Sequence, residues 1–548
     1  MDYQKLADLL FPDLKFSPTD YEQIYPQRQL AANAKVTRIG PSPTGFIHLG
    51  NLYNAIIGDR LAHQSNGVFF LRIEDTDSKR EVAGAVEIIL SALGFFGINF
   101  DEGATIDGDN GNYGPYRQSQ RKDIYHCFAK QLVKMGKAYP CFCSEEELTQ
   151  MREEQMAKQV NFGYYSEWAR DRNNDYQQIA ERIAKGEPYV LRFRSDGNID
   201  NTVILADAIR GELQLQENYQ DFVLLKSDGI PTYHFAHVVD DHLMRSTHVI
   251  RSEEWLATAP IHLQLFDTFG WQRPIYCHTA QLMKLEDGNR RKLSKRKDPE
   301  LALKYYCSEG YLPEAIWEYL LTVLNSNFEE WRMTNPSDPF EQFPFTIEKM
   351  SNSGTLFDLD KLQDISKEIL VRTPAAQIYD FLKSWAEKYN PTFSDIFCAD
   401  KEYSLRVIDV NRSGDRPRKD LVYWKQAIKF LSFYFDELFT IEDNYPENID
   451  SDTACEILNK YLETLDFNDD QEQWFNKVRE ITDALGFAVQ PKKYRKNPEL
   501  YRGSIIDVSN TIRVAITGRL NSPDLWEISN ILGDKRVRNR VQAAIKGK

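Results

Sequence analysis

Val36-Thr37-Arg38-Ile39-Gly40-Pro41-Ser42-Pro43-Thr44-Gly45-Phe46-Ile47-His48-Leu49-Gly50-Asn51 is the stretch that decides the fold of this chain. It reads as a short strand, a turn rich in Gly and Pro, and the entry to a helix. The helical reading runs from about Asn51 to His63, with Leu52, Ile56, Ile57 and Leu61 on one apolar face. Next comes Val68-Phe69-Phe70-Leu71-Arg72-Ile73, almost continuously apolar, as strands buried on both faces are. A second amphipathic helix uses Val82, Val86, Ile89, Leu90 and Leu93. Strand, helix, strand and helix in close succession predict a doubly wound, Rossmann-like α/β unit with a parallel sheet.

The chain has 548 residues. At about 150 residues per domain, three or four domains are expected. Hydrophobic residues make up 42% and charged residues 27%, enough for several cores. The formal net charge of -15 excludes a uniformly basic nucleic-acid coat, though not a local basic surface. No apolar run approaches the ~18 residues of a membrane span. Met1-Asp2-Tyr3-Gln4-Lys5 lacks the pattern of a signal peptide. The 7 cysteines are irregularly spaced, which fits reduced thiols better than a disulfide framework. A cytoplasmic protein is expected, with no membrane partner.

Residues 1–35 carry Pro12, Pro18 and Pro26 and read as a short helix (Leu6, Leu9, Leu10) followed by an extended arm. From about Gly111 to Gly211 the pattern is mixed and charge-rich, like an insertion. Strand-like runs return at 222–225 and 248–250. After about residue 340 helical spacing dominates, at 421–439, 453–465, 471–485 and 525–545. Charge is uneven: residues 431–480 hold 14 acidic and 3 basic side chains, residues 491–548 hold 13 basic and 5 acidic. The acidic run reads as a solvated face; the basic tail fits a solvated face and RNA contact equally.

Two segments carry chemistry. The turn before His48 lies between a strand and a helix, where free backbone N–H groups attract phosphate oxygens. Gly45 and Gly50 permit close backbone approach, and His48 offers a hydrogen bond. The second segment is Arg290-Arg291-Lys292-Leu293-Ser294-Lys295-Arg296-Lys297, in which 6 of 8 residues are basic. It reads as a basic loop able to fold over a triphosphate, with two lysines bracketing charge that develops at phosphorus. No P-loop pattern occurs.

Together, His48-Leu49-Gly50-Asn51 and Lys292-Leu293-Ser294-Lys295-Arg296 resemble the two signature motifs of class I aminoacyl-tRNA synthetases. Leu71-Arg72-Ile73-Glu74-Asp75-Thr76-Asp77, Gly114-Pro115-Tyr116-Arg117-Gln118-Ser119, Val238-Val239-Asp240-Asp241-His242 and Ile250-Arg251-Ser252-Glu253-Glu254-Trp255-Leu256 look like the glutamyl-tRNA synthetase family. Thr517-Gly518-Arg519-Leu520 does too. The resemblance runs from about Val36 to the C-terminus and is densest to about residue 320.

It implies a doubly wound catalytic domain in two halves (36–112 and 236–277), an inserted acceptor-end-binding α/β domain (113–235), a helical stem-contact region (278–345) and an α-helical anticodon-binding domain (346–548), with 1–35 as an extension. The implied reaction is ATP-dependent. Glutamate first becomes glutamyl-adenylate, and tRNA(Glu) then takes the glutamyl group at its terminal adenosine. Charging of tRNA(Gln) as well is an alternative. The family's enzymes typically need bound tRNA to form the adenylate. Partners are ATP with Mg²⁺, L-glutamate and tRNA, with a monomer expected.

The resemblance assigns His48, Lys292 and Lys295 to catalysis, and Gly50, Asn51, Leu282, Met283, Ser294 and Lys295 to ATP. It assigns Arg38, Ser42, Glu74, Tyr233, His237, Arg251 and Trp255 to glutamate. A guanidinium is apt for a γ-carboxylate because it offers two parallel hydrogen bonds and a permanent charge. His237 stands where the family often has Asn. Arg416 and Arg418 are anticodon candidates, since arginine reads a base edge by bidentate bonding; a solvated basic turn is an equal reading. Tyr423 and Trp424 fit core packing better than base stacking. Some relatives bind zinc through Cys-x-Cys and a later Cys/His pair; here Cys141-Phe142-Cys143 is present, but residues 165–171 hold no Cys or His, so no structural zinc is expected. Three other readings fit the sequence less well. A tRNA-base glutamylating enzyme lacks the helical half, glutaminyl-tRNA synthetase has a β-barrel anticodon part, and a non-catalytic RNA binder would not retain the motif residues.

Overall fold

A computed structural model describes residues 1–77, 82–412 and 417–547. The strand Val36–Ile39 is buried throughout and pairs in parallel with Val68–Leu71, Val36 opposite Val68 and Ile39 opposite Leu71. Phe69, Phe70 and Leu71 are wholly buried, as a strand covered on both faces requires. Glu102–Ala104 extends the sheet in parallel, and Asp109–Asn110 closes its edge antiparallel. The helix Leu49–His63 crosses between the first two strands. Gly58 lets it lie against the sheet, because a Cβ there would meet the Phe69 ring at 2.8 Å.

A second sheet orders His248–Ser252, Ile275–Thr279 and Thr202–Asp207 in parallel, with Gly211–Gln216 antiparallel at the edge. The two sheets are linked where the Thr247 N–H donates to the Val36 carbonyl at 2.9 Å and the Val36 N–H to Thr247 Oγ1 at 2.8 Å. The doubly wound reading therefore holds. The stretch expected as an insertion is divided. Ala138–Cys141, Val190–Phe193 and Val223–Leu225 form their own antiparallel sheet. The 202–216 hairpin instead joins the catalytic sheet, because Asp207 accepts the His278 N–H at 3.0 Å.

Other boundaries moved. The second amphipathic helix is Ala85–Phe95, with Ala85, Ile89 and Leu93 buried and Val82 exposed ahead of it. The N-terminal arm is not simply extended. After Tyr3–Leu10 it forms a second helix, Pro18–Ile24, opened by a capping box in which the Ser17 N–H donates to Asp20 Oδ2 at 2.7 Å. Arg28 forks onto Glu102 at 2.8 and 2.9 Å, and Glu22 accepts from His242 and Arg245, both at 2.6 Å.

The chain separates into two compact units, residues 1–305 with 317–358, and residues 306–316 with 359–548. The second unit is helical around a core that includes Trp424, Tyr434, Ile457, Val478, Ile512 and Val541. Trp424 is 1% exposed, so it packs in that core. The 421–439 stretch resolves into Trp424–Leu431 and a 3₁₀ turn, Ser432–Tyr434. The 525–545 stretch breaks at Gly533 (φ 79°) into Leu525–Leu532 and Asp534–Lys546. Gly518 ends the Ile505–Thr517 helix at φ 75°, and a Cβ there would lie 2.1 Å from the Thr440 carbonyl oxygen. All seven cysteines are free. Among the described residues, no helix is long and apolar enough to cross a membrane.

Two adjacent carboxylates organise the catalytic core. Asp240 and Asp241 sit on the helix Tyr233–Leu243 and are fully buried. Asp240 accepts from Arg121 Nε at 2.7 Å, Gln118 Nε2 at 2.8 Å and Tyr125 Oη at 2.8 Å. Asp241 accepts from Arg38 Nε at 3.0 Å, Arg38 Nη2 at 3.1 Å and Arg72 Nη1 at 2.7 Å. Burial alone would raise the Asp241 carboxyl, but Arg38 and Arg72 hold it well below the usual carboxylate range. Removing one partner of such a pair strands the other, at a cost of about 3–5 kcal/mol. Asp240→Asn is accordingly expected to lower the thermal unfolding midpoint of the catalytic unit clearly, through the Arg121 it leaves unbalanced. An unchanged midpoint in calorimetry would show that this carboxylate is not structural.

Candidate active site

A cavity of about 330 Å³ opens where the helix Leu49–His63 begins. His48, Gly50, Leu282, Lys292 and Lys295 all line it, so the two motif segments meet at one place. A larger groove, about 440 Å³, lies elsewhere in the same unit, near Lys137, Arg194 and Gln264. No predicted site residue lines that groove, and Lys137 on its wall is paired with Asp196, so the chemistry favours the smaller cavity.

His48 precedes the 15-residue helix Leu49–His63, whose N-terminal N–H groups and dipole favour an anion. Burial first, then Lys295 and Lys292, push the His48 pKa down to about 4. The imidazole is therefore neutral near pH 7, able to donate at one nitrogen and accept at the other. Its Nδ1 is buried without a hydrogen-bond partner. Gly50 keeps room for the ring, since a Cβ there would meet it at 3.0 Å. Asn51 Oδ1 accepts the His48 backbone N–H at 3.0 Å, capping the helix.

The basic segment is not wholly a loop. Asn289–Lys292 is a strand paired antiparallel with Leu282–Glu286, and Met283 stands opposite Lys292. The connecting Asp287 and Gly288 have φ of 51° and 78°, the two positive values of a type I′ hairpin turn. Asp-Gly was the sequence signal for this hairpin. Beyond it, Asp298 secures the turn, accepting from Arg291 Nη1 at 2.6 Å, Arg291 Nη2 at 2.8 Å and the Ser294 N–H at 2.8 Å. These bonds, Arg291 foremost, hold the Asp298 carboxyl far below its ordinary range. Sequence reading passed over Asp298 because its partners are visible only once the chain turns back. Ser294 thus serves the loop through its backbone. Lys295 Nζ lies 4.0 Å from the centre of the Phe46 ring, and Lys292 pairs with Glu254.

Beside the cavity lie the residues expected to hold an amino acid. Arg38 and Arg251 are both buried. Glu74 accepts from Arg72 Nη2 at 2.9 Å, and burial raises its pKa despite Arg72 and Arg38. Gly40 makes space for it, as a Cβ would meet Glu74 Oε1 at 2.3 Å. Tyr233 stacks on His237 with centroids 5.5 Å apart and packs against Trp255 at 4.3 Å. His237 is fully buried, hydrogen-bonded to Asp241 at 2.9 Å, and neutral, its pKa pushed down to about 3 by burial. Ser42 is exposed in the turn, where its carbonyl accepts the Thr44 N–H at 2.8 Å.

Three further expectations concern other places. Arg416 lies outside the described residues. Arg418 forks onto Asp420 at 2.7 and 2.8 Å, so its guanidinium already has a carboxylate. Cys141 and Cys143 are joined by Asp171, the one group of three possible metal ligands among the described residues, with ligand atoms within 4.8 Å of one another. The expectation counted only Cys and His and so missed Asp171. That carboxylate, however, accepts the Phe142 N–H at 2.7 Å and Asn174 Nδ2 at 3.0 Å, and the Arg170 guanidinium lies 3.5 Å from Cys143 Sγ. A Cys₂Asp group edged by a cation differs from the four S/N ligands of structural zinc.

Comparison with known proteins fits this geometry. The family model for class I tRNA synthetases (E and Q), catalytic domain, matches residues 35–364, and an anticodon binding domain matches residues 504–545. A protein named Glutamate--tRNA ligase from Acetivibrio thermocellus is 57% identical over 543 residues, covering 99% of this chain and 100% of its own length. One of the same name from Clostridium perfringens strain 13 is 44% identical over 546 residues, covering 99% and 100%. Among solved structures, a glutamate tRNA ligase from Elizabethkingia meningosepticum, in complex with its amino acid, aligns with a TM-score of 0.73 at 27% identity, covering 93% of this chain and 99% of that one. With both signature motifs converging on one cavity and likeness extending over its whole length, the chain belongs to the glutamate–tRNA ligase family of class I aminoacyl-tRNA synthetases.

Proposed function

We propose that this protein ligates L-glutamate to the 3′ end of tRNA(Glu) at the expense of ATP, as a cytoplasmic monomer. The observation that carries the reading is the meeting of His48 with Lys292 and Lys295 on one cavity, together with the grouping of Arg251, Glu74 and Arg38 around Tyr233. The reaction demands little acid–base chemistry. In the first step an oxygen of the glutamate α-carboxylate bonds to the α-phosphorus of ATP, and the bond from that phosphorus to the pyrophosphate oxygen breaks. In the second, the 2′-hydroxyl of the terminal adenosine takes the glutamyl carbonyl, AMP leaves, and the hydroxyl proton is lost. What the chain supplies is position and charge.

In this reading His48 and the helix N-terminus at Gly50 hold phosphate oxygens. Lys295 and Lys292 balance the charge that develops on phosphorus, Lys292 first exchanging its Glu254 partner for the nucleotide. Leu282 and Met283 present backbone to adenine. Mg²⁺ enters with the triphosphate. Glu74 holds the α-ammonium, and Arg251, Tyr233 and Trp255 surround the side chain of glutamate. The helical unit reads the tRNA. The broader alternative, charging of tRNA(Gln) as well, is not favoured by relatives each named for glutamate alone. The guanidinium beside Cys143 and the prior bonds of Asp171 support a protein without structural zinc.

Glutamate-dependent exchange of pyrophosphate into ATP is expected with tRNA present and is the direct test; a folded protein inactive with and without tRNA would refute the reading. Lys295→Ala is expected to slow adenylation by on the order of 10²–10³-fold, the scale of losing one transition-state charge contact. tRNA affinity in a filter or anisotropy assay should stay close to the parent's, and an unimpaired rate would remove Lys295 from the mechanism. Helix Pro491–Lys496 exposes Lys492, Lys493, Arg495 and Lys496. Replacing these four with Gln is expected to weaken tRNA binding and flatten its salt dependence, since fewer counterions are released. A salt slope identical to the parent's would place the RNA surface elsewhere.

A further inference from the structure

Arg38 and Arg251 carry the same expectation, yet the structure surrounds them differently. Arg38 is balanced at close range by Asp241, which also serves Arg72. Arg251 is 5% exposed, and among the described residues no carboxylate stands within ion-pair distance of it. Its neighbours are imidazoles. Arg251 Nε donates to His278 Nε2 at 2.9 Å, and Nη1 lies 3.1 Å from His262 Nδ1.

A guanidinium has donors only, so both of those ring nitrogens act as acceptors and both histidines are neutral. Each tautomer is then determined. His278 carries its proton on Nδ1 and donates to Asp207 Oδ2 at 2.6 Å. Asp207 is itself pinned by the N–H groups of His278, Ile209 and Arg210 at 3.0, 3.0 and 2.9 Å. His262 carries its proton on Nε2 and donates to His234 Nδ1 at 3.0 Å. Burial lowers the pKa of all three rings, His234 to about 4. Sheet register makes the arrangement rigid, because Arg251 and His278 are direct neighbours on paired parallel strands. Arg251 Nη2 remains buried without a hydrogen bond of normal geometry, near the Tyr233 hydroxyl.

We infer that His262 and His278 are positioning residues that hold Arg251 as an unbalanced buried cation, and that this neutral cradle selects a carboxylate over a carboxamide in the side chain of the amino acid substrate. A carboxylate in place of either ring would complete an ion pair inside the protein and leave the ligand's charge little to meet. A neutral acceptor preserves the orientation without quenching the charge, so the strongest partner left for Nη2 is an anion. Asp207 acts at one remove, fixing the His278 proton on the side away from Arg251. The inference rests on the proposed function and specifies how its amino-acid pocket discriminates.

His262→Gln and His262→Glu form a nearly isosteric pair that separates shape from charge. In tRNA-dependent exchange, with glutamate and glutamine compared as substrates, His262→Gln is expected to keep the glutamate preference. His262→Glu is expected to raise KM for glutamate and narrow the preference over glutamine, each by about tenfold or more, with KM for ATP unchanged. Asp207→Asn is the second test. With its NH₂ toward His278 the tautomer is no longer held; with it turned away the NH₂ meets the Ile209 and Arg210 N–H groups and the support of the ring is loosened. It too is expected to raise KM for glutamate and not for ATP. Equal preference in the two His262 variants, or KM values for glutamate and ATP rising together, would overturn the inference while leaving an active parent's function intact. A parent inactive with glutamate would overturn the functional reading and the inference with it.

Discussion

Buried charge at Asp240 and Asp241 is the constraint on which the catalytic unit depends. Three guanidiniums, from Arg38, Arg72 and Arg121, come from separate elements and converge on these two carboxylates with almost no solvent access. An ion taken from water is costly unless its partners are close and well aligned. The network therefore tolerates few geometries, and it ties the strand ends at Arg38 and Arg72 to the helix that carries Tyr233 and His237. Glu74, bonded to Arg72, inherits that rigidity. The proposed amino-acid site is thus built on elements that have little freedom to move.

The proposed nucleotide side follows a different logic. Its lysines are only loosely committed: Lys292 is half-exposed in its pair with Glu254, and Lys295 rests over Phe46. What is firm is the support beneath them, namely the Asp287-Gly288 hairpin turn and the fork of Arg291 on Asp298. A firm base beneath less committed cations suits the proposed role of holding a triphosphate. The rigid pocket suits the opposite demand, telling one small side chain from another.

Much of this was legible beforehand. The alternation of strand and helix from Val36 to Leu93 follows from apolar periodicity, which is local, and the structure follows it within a few residues. The motif residues His48, Lys292 and Lys295 were identifiable because their types and order resemble a family. The misreadings share a cause. The second helix of the N-terminal arm depends on a short capping box with little apolar signal. The 202–216 hairpin leaves its neighbours in sequence because Asp207 finds the strand of His278, 71 residues on.

Sequence by itself determined the fold class, the family and the identity of the charged residues, since these rest on local periodicity and on residue types at short spacing. Only the tertiary structure decided what each charge faces. Arg38 and Arg251 are equivalent as letters, yet one meets Asp241 across 203 residues of chain and the other meets two neutral imidazoles. The physical reason is that the state of a buried ion is set by the few groups within hydrogen-bonding distance, and those groups are brought there by folding rather than by adjacency in the chain.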